Sequence, residues 1–205
     1  MTQLKLTYFD VDGGRGEPIR LALHIGGIEF EDYRFPYSAF LEEREKTPLG
    51  QVPVLDVDGT AVTQSNAILR YVGKQTELYP SDLYQALICD EIMDVAEDCI
   101  NSIVSTFQFK GDELKVAREK LVDEDLAKYL KFIESKLALQ GGDYFADHRL
   151  TIADLKIFPI IGWLNSGSLE YIPMDLVEKV APQLNKHLQQ ISKEAKVVAY
   201  YQARK

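Results

Sequence analysis

The sequence has little cysteine and little histidine, which excludes several kinds of functional site. The 205 residues include 2 Cys, Cys89 and Cys99, ten positions apart in one predicted helix. Two cysteines are too few for a secreted disulfide framework, and their spacing does not fit a zinc knuckle. The 3 His, at positions 24, 148 and 187, are scattered along the chain. We therefore predict reduced thiols, a cytoplasmic location, no metal site and no histidine-based catalytic triad.

Basic residues and long apolar runs are also scarce. Lys and Arg number 23 against 32 Asp and Glu, which gives a formal net charge of −9. Clustered basic side chains supply most of the affinity for nucleic acid, and no such cluster is visible, so we expect no nucleic-acid partner. The longest apolar run, Ile157 to Leu164, is interrupted by Pro159 and Gly162 and is too short to span a bilayer. The amino terminus has no apolar signal core, and we expect no membrane association.

The hydrophobic pattern changes along the chain and predicts two domains. Residues 1–77 alternate short strand-like runs with helical stretches, whereas residues 83–205 have helical period almost throughout. Residues 78–82 have the composition of a linker. The chain is therefore predicted to form an α/β domain followed by an all-α domain.

Within the first domain, the predicted order of elements is β-α-β-α-β-β-α. Strand-like runs at Leu4–Phe9 and Glu29–Phe35 flank a helix that opens at Glu17-Pro18. This arrangement predicts a parallel strand pair joined by a right-handed crossover. Asp58-Gly59 is a hairpin signal between two further strands, so the sheet is expected to be mixed.

The second domain shows regular helical signals. Ser81 or Asp82 is placed to cap its first, long helix. Two apolar stripes are predicted to face the core: Ile88, Ile92, Val95, Cys99 and Ile103, then Leu126, Leu130, Ile133 and Leu137. Thr151 and Asp154 form a capping box for a buried helix bent at Pro159, and we predict a purely structural role for this box.

Most catalytic signatures are missing, so the candidate residues are isolated ones. The sequence has no Walker loop, HExxH, CxxC or GxSxG motif. Tyr8 lies at the end of the first predicted strand, before a glycine-containing turn and a helix, where an open α/β unit binds its ligand. The alternative for Tyr8 is a half-buried strand tyrosine without chemistry. Arg15 lies near the positive end of the following helix, which favours an anionic ligand there; a solvated surface arginine is the alternative.

Two further segments have both a functional and a structural interpretation. Ser65 is predicted to cap the third helix, and its hydroxyl either receives a carboxylate or serves only as a cap. Val52-Pro53 places a proline at the start of a strand, which is typical of a tight and sometimes cis bend. Such a bend would turn the Val52 backbone outward for strand-like pairing with an extended peptide ligand.

Three aspartates form an acidic stripe on the long helix. Asp90, Asp94 and Asp98 are spaced i, i+4 and i+8, opposite the apolar stripe, with Glu97 beside them and no Lys or Arg between them. Like charges at this spacing repel each other. The stripe is either a solvated face or a surface for a cation from a ligand or a second subunit.

Four motifs in this order resemble those of the cytosolic glutathione transferases. They are YFDVDGGRGEP (Tyr8–Pro18), PLGQVPVL (Pro48–Leu55), QSNAILRY (Gln64–Tyr71) and LTIADL (Leu150–Leu155). The likeness covers essentially the whole chain. Because Tyr8 stands where other classes have Ser or Cys, the sequence is most similar to the tyrosine type, especially the sigma class. The resemblance implies a thioredoxin-like amino-terminal domain, an all-α carboxy-terminal domain and a homodimer.

The resemblance also implies how the sulfur of glutathione would be handled. Tyr8 would donate a hydrogen bond to the sulfur, and Arg15 would lie beside it. Lowering a thiol pKa from about 8.5 by about 2 units requires about 2.7 kcal/mol of preferential thiolate stabilisation. One buried donor to a charged acceptor contributes about 1.5–3 kcal/mol, so Tyr8 need not act as a strong base.

The rest of glutathione would contact three other segments, again by resemblance. Gln51-Val52 would pair with the cysteinyl backbone, and Pro53 would be the family's cis proline. Gln64 and Ser65 would hold the γ-glutamyl carboxylate at the helix start. Asp98 would reach across the dimer to the amino group of the ligand, which leaves two members of the acidic stripe unexplained.

The sequence departs from sigma-type relatives at two places. Where those relatives place Trp and Lys over the glycine end of glutathione, this chain has Phe40 and Arg44. Phe40 has no indole N–H to donate, whereas Arg44 can still meet the glycyl carboxylate. The active-site turn has one extra glycine, Gly13 or Gly14, which alters the wall of the second-substrate pocket.

The resemblance implies an enzyme of detoxification that uses glutathione as co-substrate, without a permanently bound cofactor. The thiolate would attack a hydrophobic electrophile or a hydroperoxide. The Asp10–Gly14 turn, Phe107 and Tyr200-Tyr201 are candidate walls of the second-substrate pocket. Two alternatives stay open, a glutathione-dependent prostaglandin-type isomerase and a non-catalytic ligand-binding or structural relative. A thiol-disulfide redox role is disfavoured, because no Cys lies near the end of the first strand.

Overall fold

A computed structural model describes residues 2–204 of the chain. The strands are β1 (Leu4–Phe9), β2 (Glu31–Phe35), β3 (Val54–Val57) and β4 (Thr60–Val62). The helices are α1 (Glu17–Ile25), α2 (Phe40–Glu43), α3 (Ser65–Gln75), α4 (Leu83–Val104), α5 (Gly111–Leu121), α6 (Ala127–Leu139), α7 (Ile152–Asn165), α8 (Leu176–Val180), α9 (Pro182–Ile191) and α10 (Ala195–Gln202). Short 3-10 turns flank α2 and follow α4, and a π-turn at Val122–Leu126 joins α5 to α6.

The chain divides into two compact units. One contains the residues up to Tyr79 together with the segment from Ala195 onward, and the other is Pro80–Glu194. The carboxy-terminal helix α10 therefore belongs to the same compact unit as the sheet. The domain limits 1–77 and 83–205, which were inferred from the sequence, stay predictions.

The four strands form one mixed sheet in the order β2-β1-β3-β4. β1 and β2 are parallel, with α1 between them in the chain, and β3 is antiparallel to both β1 and β4. This confirms the predicted β-α-β-α-β-β-α order. The second strand begins at Glu31, two residues later than the apolar pattern suggested.

The side chains of β1 explain where the core of this unit lies. Leu4, Leu6 and Tyr8 are buried, and the residues between them are half-exposed. This alternation is the signature of a strand with one face on a core. The core-facing residues of α1 and α3 include Ile19, Leu23, Ile68, Leu69 and Val72, all buried.

The register of the sheet gathers several chain segments at one edge. Thr7 of β1 and Val54 of β3 are the last pair of their ladder, and Tyr8 and Pro53 are the next residues beyond it on the two chain segments. Because β4 runs antiparallel to β3, it ends at the same edge, and α3 begins three residues later at Ser65. The end of β1, the approach to β3 and the start of α3 are therefore neighbours.

The second unit is built on the predicted apolar stripes. All the residues of the two stripes are buried except Val95, which is half-exposed. Asp82 caps α4, since its Oδ1 accepts hydrogen bonds from the backbone N–H groups of Tyr84 at 3.0 Å and Gln85 at 2.9 Å. Within residues 2–204, no helix has the combination of length and apolar composition required to cross a membrane.

The predicted capping box is present at the start of α7. Thr151 and Asp154 exchange side-chain and backbone hydrogen bonds, and Pro159 lies inside the helix. Asp154 is fully buried, and its Oδ2 accepts from the Thr151 backbone N–H at 2.8 Å. The sequence pattern therefore identified this helix start correctly.

Candidate active site

Tyr8 presents a buried hydroxyl at the end of β1. The residue is 6% exposed, and its hydroxyl oxygen accepts a hydrogen bond of 2.9 Å from the backbone N–H of Arg15. A phenol oxygen that accepts in this way still has its own proton to donate. Accepting one bond also polarises the O–H group, which improves it as a donor. The geometry therefore suits donation to an anionic acceptor.

The electrostatic setting keeps Tyr8 protonated. Burial raises the pKa of Tyr8 above that of an ordinary tyrosine; the N–H of Arg15 and the positive charges of Arg15 and Arg20 act in the opposite direction but do not cancel the effect of burial. Neutral pH lies well below this pKa. Tyr8 is therefore a hydrogen-bond donor at neutral pH and not a base.

Two glycines allow the turn after β1 to close over Tyr8. A Cβ atom on Gly14 would lie 2.4 Å from the Tyr8 hydroxyl oxygen, and Gly14 has a φ of +63°. A Cβ atom on Gly16 would lie 2.4 Å from Cδ1 of the Tyr8 ring. Among the described residues, no atom lies within 4 Å of a Cβ placed on Gly13. Gly14 and Gly16 are thus required by packing, whereas Gly13 has room.

A buried arginine that the sequence analysis missed anchors the same turn. Arg20 is 0% exposed, and its Nη1 and Nη2 donate to the carbonyl oxygens of Val11 at 3.0 Å and Phe9 at 3.1 Å. Its Nε pairs with Oδ1 of Asp32 at 2.9 Å. The signal available was an arginine within the run from Ile19 to Leu23 of α1, which is otherwise apolar, since an arginine in the core is nearly always paired.

The segment before β3 contains three predicted ligand residues. The peptide bond between Val52 and Pro53 is cis, as the resemblance predicted. Gln51 is exposed, Val52 is half-exposed and Pro53 is buried; Pro53 and Tyr8 each lie one residue beyond the paired Val54 and Thr7. The structure thus brings this segment next to Tyr8, with Gln51 at the surface.

The start of α3 differs in detail from the prediction. Ser65 was expected to be the helix cap, but the cap position is Gln64, and Ser65 is the first residue of the helix. The expectation was wrong by one residue: Gln64, with a φ of 73° and a ψ of 104°, is the last residue with non-helical backbone angles, so the helix already begins at Ser65. Such strained backbone is concentrated at binding sites. Gln64 is exposed and Ser65 is buried.

Phe40 and Arg44 lie together on α2 and the turn after it. The ring of Phe40 packs against Phe9 and Phe35, with centroids 5.1 Å and 6.5 Å apart. The guanidinium carbon of Arg44 lies 5.7 Å from the centroid of the Phe40 ring. A Cβ atom on Gly50 would lie 3.2 Å from Nη2 of Arg44, so this exposed arginine lies beside the segment that leads to β3. Phe40 therefore acts here as a packing surface under Arg44.

Asp98 belongs to the other compact unit, where it is exposed on α4. The acidic stripe is less isolated than the sequence suggested. Glu97 pairs with Nζ of the buried Lys156 at 2.6 Å, and Asp90 and Asp94 each have an interaction partner. The cation that pairs with Glu97 comes from α7, which a helix-by-helix reading of the sequence cannot show.

The two cysteines are poor nucleophiles in this fold. Cys89 and Cys99 are free and buried. Burial raises the pKa of each thiol to about 12, so neither is appreciably ionised at neutral pH. Their setting supports the expectation that the chain does not use its own cysteines for redox chemistry.

Comparisons with known proteins show which family the chain resembles. Residues 4–74 match the family model described as "Glutathione S-transferase, N-terminal domain", and residues 97–204 match "Glutathione S-transferase, C-terminal domain". The chain is 38% identical over 162 residues to "Glutathione S-transferase 1" of Ascaris suum, which covers 77% of this chain and 78% of the relative.

Solved structures give the same result at the level of the fold. The prostaglandin synthase D of Nilaparvata lugens is 31% identical, with a TM-score of 0.87 over 99% of this chain and 98% of that one. The sigma class GST of Fasciola hepatica is 25% identical, with a TM-score of 0.83 over 100% of this chain and 97% of that one. The similarity therefore extends over both compact units.

Proposed function

Because this chain belongs to the cytosolic glutathione S-transferase family, we propose that its Tyr8 hydroxyl holds the thiol of bound glutathione as the thiolate. As a glutathione transferase, the enzyme uses glutathione and an electrophilic second substrate. The thiol proton is released to solvent, and the thiolate sulfur attacks the electrophilic atom with an electron pair to form the new bond. At the same carbon the bond to the leaving group breaks, and that group departs with its electron pair; with an activated alkene the π bond breaks instead, and the resulting carbanion takes a proton from water. Tyr8 keeps its proton throughout and stabilises the negative charge on sulfur until that bond forms.

The hydrogen bond from the Arg15 N–H to the Tyr8 oxygen is the observation that carries this proposal. It orients the hydroxyl at 2.9 Å and leaves the phenolic proton to donate to sulfur. A hydrogen bond to a charged acceptor contributes about 1.5–3 kcal/mol, which corresponds to about 1–2 pKa units of the thiol. Burial raises the pKa of Tyr8, which supports donation over base catalysis.

The other contacts of glutathione are assigned by position. We propose that Arg44 meets the glycyl carboxylate, because its exposed guanidinium lies beside Gly50. Gln51-Val52 would pair with the cysteinyl backbone, as an added strand pairs with a sheet edge. Gln64 and Ser65 would receive the γ-glutamyl carboxylate at the positive end of α3.

Four further proposals follow from the family. We propose a homodimer in which the exposed Asp98 of one protomer reaches the amino group of glutathione bound to the other. We also propose that the enzyme acts in the cytoplasm in detoxification, has no permanently bound cofactor and is of the sigma type. The tyrosine at position 8 and the sigma class structure of Fasciola hepatica support the class.

A second candidate function is isomerisation of a prostaglandin-type endoperoxide with glutathione as cofactor. The similarity to the prostaglandin synthase D of Nilaparvata lugens favours it. The same thiolate would serve both reactions, since each begins with an activated sulfur next to Tyr8. Only the second substrate and the product distinguish them.

A substrate panel with the purified protein tests the proposed function. It comprises an activated aryl halide for conjugation, an organic hydroperoxide for reduction and a prostaglandin endoperoxide with identification of the products. We expect conjugation at a rate that Tyr8→Phe lowers roughly 10-fold to 100-fold, with the KM for glutathione within about twofold. Retention on a glutathione matrix without turnover of any of the three substrates would instead indicate a non-catalytic relative.

A further inference from the structure

The carboxy-terminal segment of the chain contacts the active-site turn. Arg204, two residues after α10 ends, forms an ion pair through Nη2 with Asp12 of the turn between β1 and α1. Its Nη1 lies 3.2 Å from Oε1 of Glu17 and 2.8 Å from the hydroxyl of Tyr200. All of these residues belong to the same compact unit. A single guanidinium therefore joins the end of the chain to the turn and to the first residue of α1.

Glu17 explains why a cation is needed at this place. The residue is 0% exposed, and burial raises the pKa of its carboxyl group above the ordinary value, with Arg204 and then Arg20 acting against this effect. Its Oε2 accepts no hydrogen bond from any residue in the range 2–204, and Arg20 Nη1 is 3.6 Å away. The charged and titratable groups that face Glu17 are Arg20 from its own helix, Arg34 from β2, Arg204, Tyr200 and Tyr201 from the carboxy-terminal segment, and Asp12 from the turn.

Arg20 holds the carbonyl oxygens of Phe9 and Val11 at the start of the turn, and two further arginines reach the side chain of Asp12. Nη1 of Arg34 approaches both Asp10 and Asp12, but at 3.5 Å, the outer limit of a hydrogen bond. Gly13, at the tip, has open space around it. Of the two arginines that reach Asp12, Arg204 therefore makes the closer contact, and it does so beyond the two carbonyl groups that Arg20 holds.

The same turn supplies the N–H group that orients Tyr8. Arg15 follows Asp12 by three residues, and its backbone N–H donates to the Tyr8 oxygen at 2.9 Å. With Gly13 and Gly14 between them, the turn has many accessible backbone conformations when the contact between Arg204 and Asp12 is removed. A displacement of the N–H by a fraction of an ångström would weaken the hydrogen bond and leave the hydroxyl less well directed.

We propose that Arg204 is a positioning residue for the glutathione thiolate, because it fixes the turn that directs the Tyr8 hydroxyl. Arg204 does not touch the substrate in this account; it acts through Asp12 and Glu17 on the N–H of Arg15. The inference depends on the proposed role of Tyr8. It goes beyond that role by giving the end of the chain a function in the chemistry of the sulfur.

The test compares Arg204→Gln with Arg204→Lys and with the wild type. The pKa of bound glutathione is measured by the ultraviolet absorbance of the thiolate, and kcat and KM are measured across pH. We expect Arg204→Gln to raise the thiol pKa by roughly 0.5–1 unit and to lower kcat about threefold to tenfold at pH 6.5. The kcat values of the wild type and Arg204→Gln should become equal at high pH, where the thiol is ionised without assistance. The KM for glutathione should differ less than twofold between them. Arg204→Lys keeps the charge and should recover most of the difference.

Matched variants separate positioning from stability. Lys193→Gln removes one positive charge from an exposed residue just before α10 and should leave the thiol pKa unchanged. Asp12→Asn breaks the ion pair between Asp12 and Arg204 but leaves the pair between Arg204 and Glu17. It therefore tests the positioning role of Arg204 even if Arg204→Gln does not fold. In the double variant the two effects on the thiol pKa should not add, because the contact between Arg204 and Asp12 is already lost in either single variant.

The thiol pKa values of these variants distinguish failure of the inference about Arg204 from failure of the proposed role of Tyr8. An unchanged thiol pKa in folded Arg204→Gln and Asp12→Asn, with at most a lower Tm, would overturn the positioning role. If Tyr8→Phe also leaves the thiol pKa unchanged, the proposed function itself fails. If Tyr8→Phe shifts the pKa and the other two variants do not, only the inference about Arg204 fails.

Discussion

At the scale of single residues, the position of Tyr8 requires that residues 14 and 16 have no side chain. Gly14 and Gly16 each approach it so closely that a Cβ atom would lie 2.4 Å from one of its atoms. Gly16 has ordinary helical backbone angles, so its requirement is space alone, whereas Gly14 also has a positive φ. The glycines of the turn therefore differ in what they contribute.

Gly16→Ala should move the Tyr8 ring and lower catalytic efficiency. The ring is buried, so its displacement requires local repacking. Adding a carbon atom to a well-packed core typically lowers the free energy of unfolding by about 1–3 kcal/mol. We expect a loss of kcat/KM of roughly 10-fold to 100-fold and a lower Tm. Gly13→Ala is the matched control, because its Cβ would meet no described atom within 4 Å, and its activity should stay within about twofold. Equal effects of the two substitutions would contradict this packing argument.

The sequence predicted residues of this site unequally. Tyr8 and Arg15 lie in a single motif, so a local pattern was enough to single them out, whereas the close approach of Gly16 to Tyr8 is visible only in the structure. Arg20 carried only a weak local signal, and Arg204 is 192 residues from Asp12 in the chain. Pairing over such a distance is decided by tertiary structure, so no local pattern could reveal it.

At the scale of elements, the start of α7 is organised by one buried carboxylate. Oδ2 of Asp154 accepts from the backbone and hydroxyl of Thr151, both at 2.8 Å. Oδ1 accepts from the backbone N–H of Phe145 at 3.0 Å and lies 2.9 Å from Nε2 of the buried His187. The capping box was predictable from sequence spacing, but the contacts with Phe145 and α9 were not. They make this cap part of the core of the second unit.

Asp154→Ala should destabilise the protein strongly without acting on the sulfur chemistry. It leaves several buried donors unsatisfied, and we expect a loss of roughly 3–5 kcal/mol in the free energy of unfolding. Thermal unfolding should show a decrease in Tm of roughly 6–20 °C. The control is Asp175→Ala, which removes an exposed ion pair with Lys179 at 2.8 Å and should cost less than about 1 kcal/mol. A loss at Asp154 no larger than at Asp175 would show that the buried network contributes little.

Elements differed in how well the sequence predicted them. The stripes of α4 and α6 were predicted because they repeat over several turns, whereas α2 has only four residues between 3-10 turns. Short elements of this kind are fixed by contacts such as those of the Phe40 ring with Phe9 and Phe35. The start of α3 was misplaced by one residue because the positive φ of Gln64 has no signature in residue type.

At the scale of the whole molecule, the net charge of −9 opposes the binding of an anionic ligand such as glutathione. Binding therefore depends on local cations and helix starts, of which Arg15, Arg44 and the start of α3 are the proposed examples. We propose the opposite use for one acidic side chain, which would bind the positive group of the ligand. An exposed carboxylate such as Asp98 suits the amino group of the ligand.

Asp98→Asn tests both the homodimer and the cross-subunit contact. If the carboxylate of one protomer binds the amino group of glutathione in the other, its loss should raise the KM for glutathione roughly 5-fold to 30-fold. The thiol pKa should stay unchanged, because the sulfur is bound elsewhere. Asp94→Asn, one turn away on α4, is the control and should change KM less than twofold. A monomer in sedimentation equilibrium, with an unchanged KM for Asp98→Asn, would contradict both proposals.

The most direct test of the account is the titration of bound glutathione in the wild type and in Tyr8→Phe. The absorbance of the thiolate is followed against pH. Burial raises the pKa of Tyr8, so its hydroxyl remains a donor through the whole titration and a single transition, that of the sulfur, is expected. We predict that the transition of the wild type lies about 1–2 pH units below that of Tyr8→Phe. Identical transitions in the two proteins would contradict the central claim that the Tyr8 hydroxyl stabilises the thiolate.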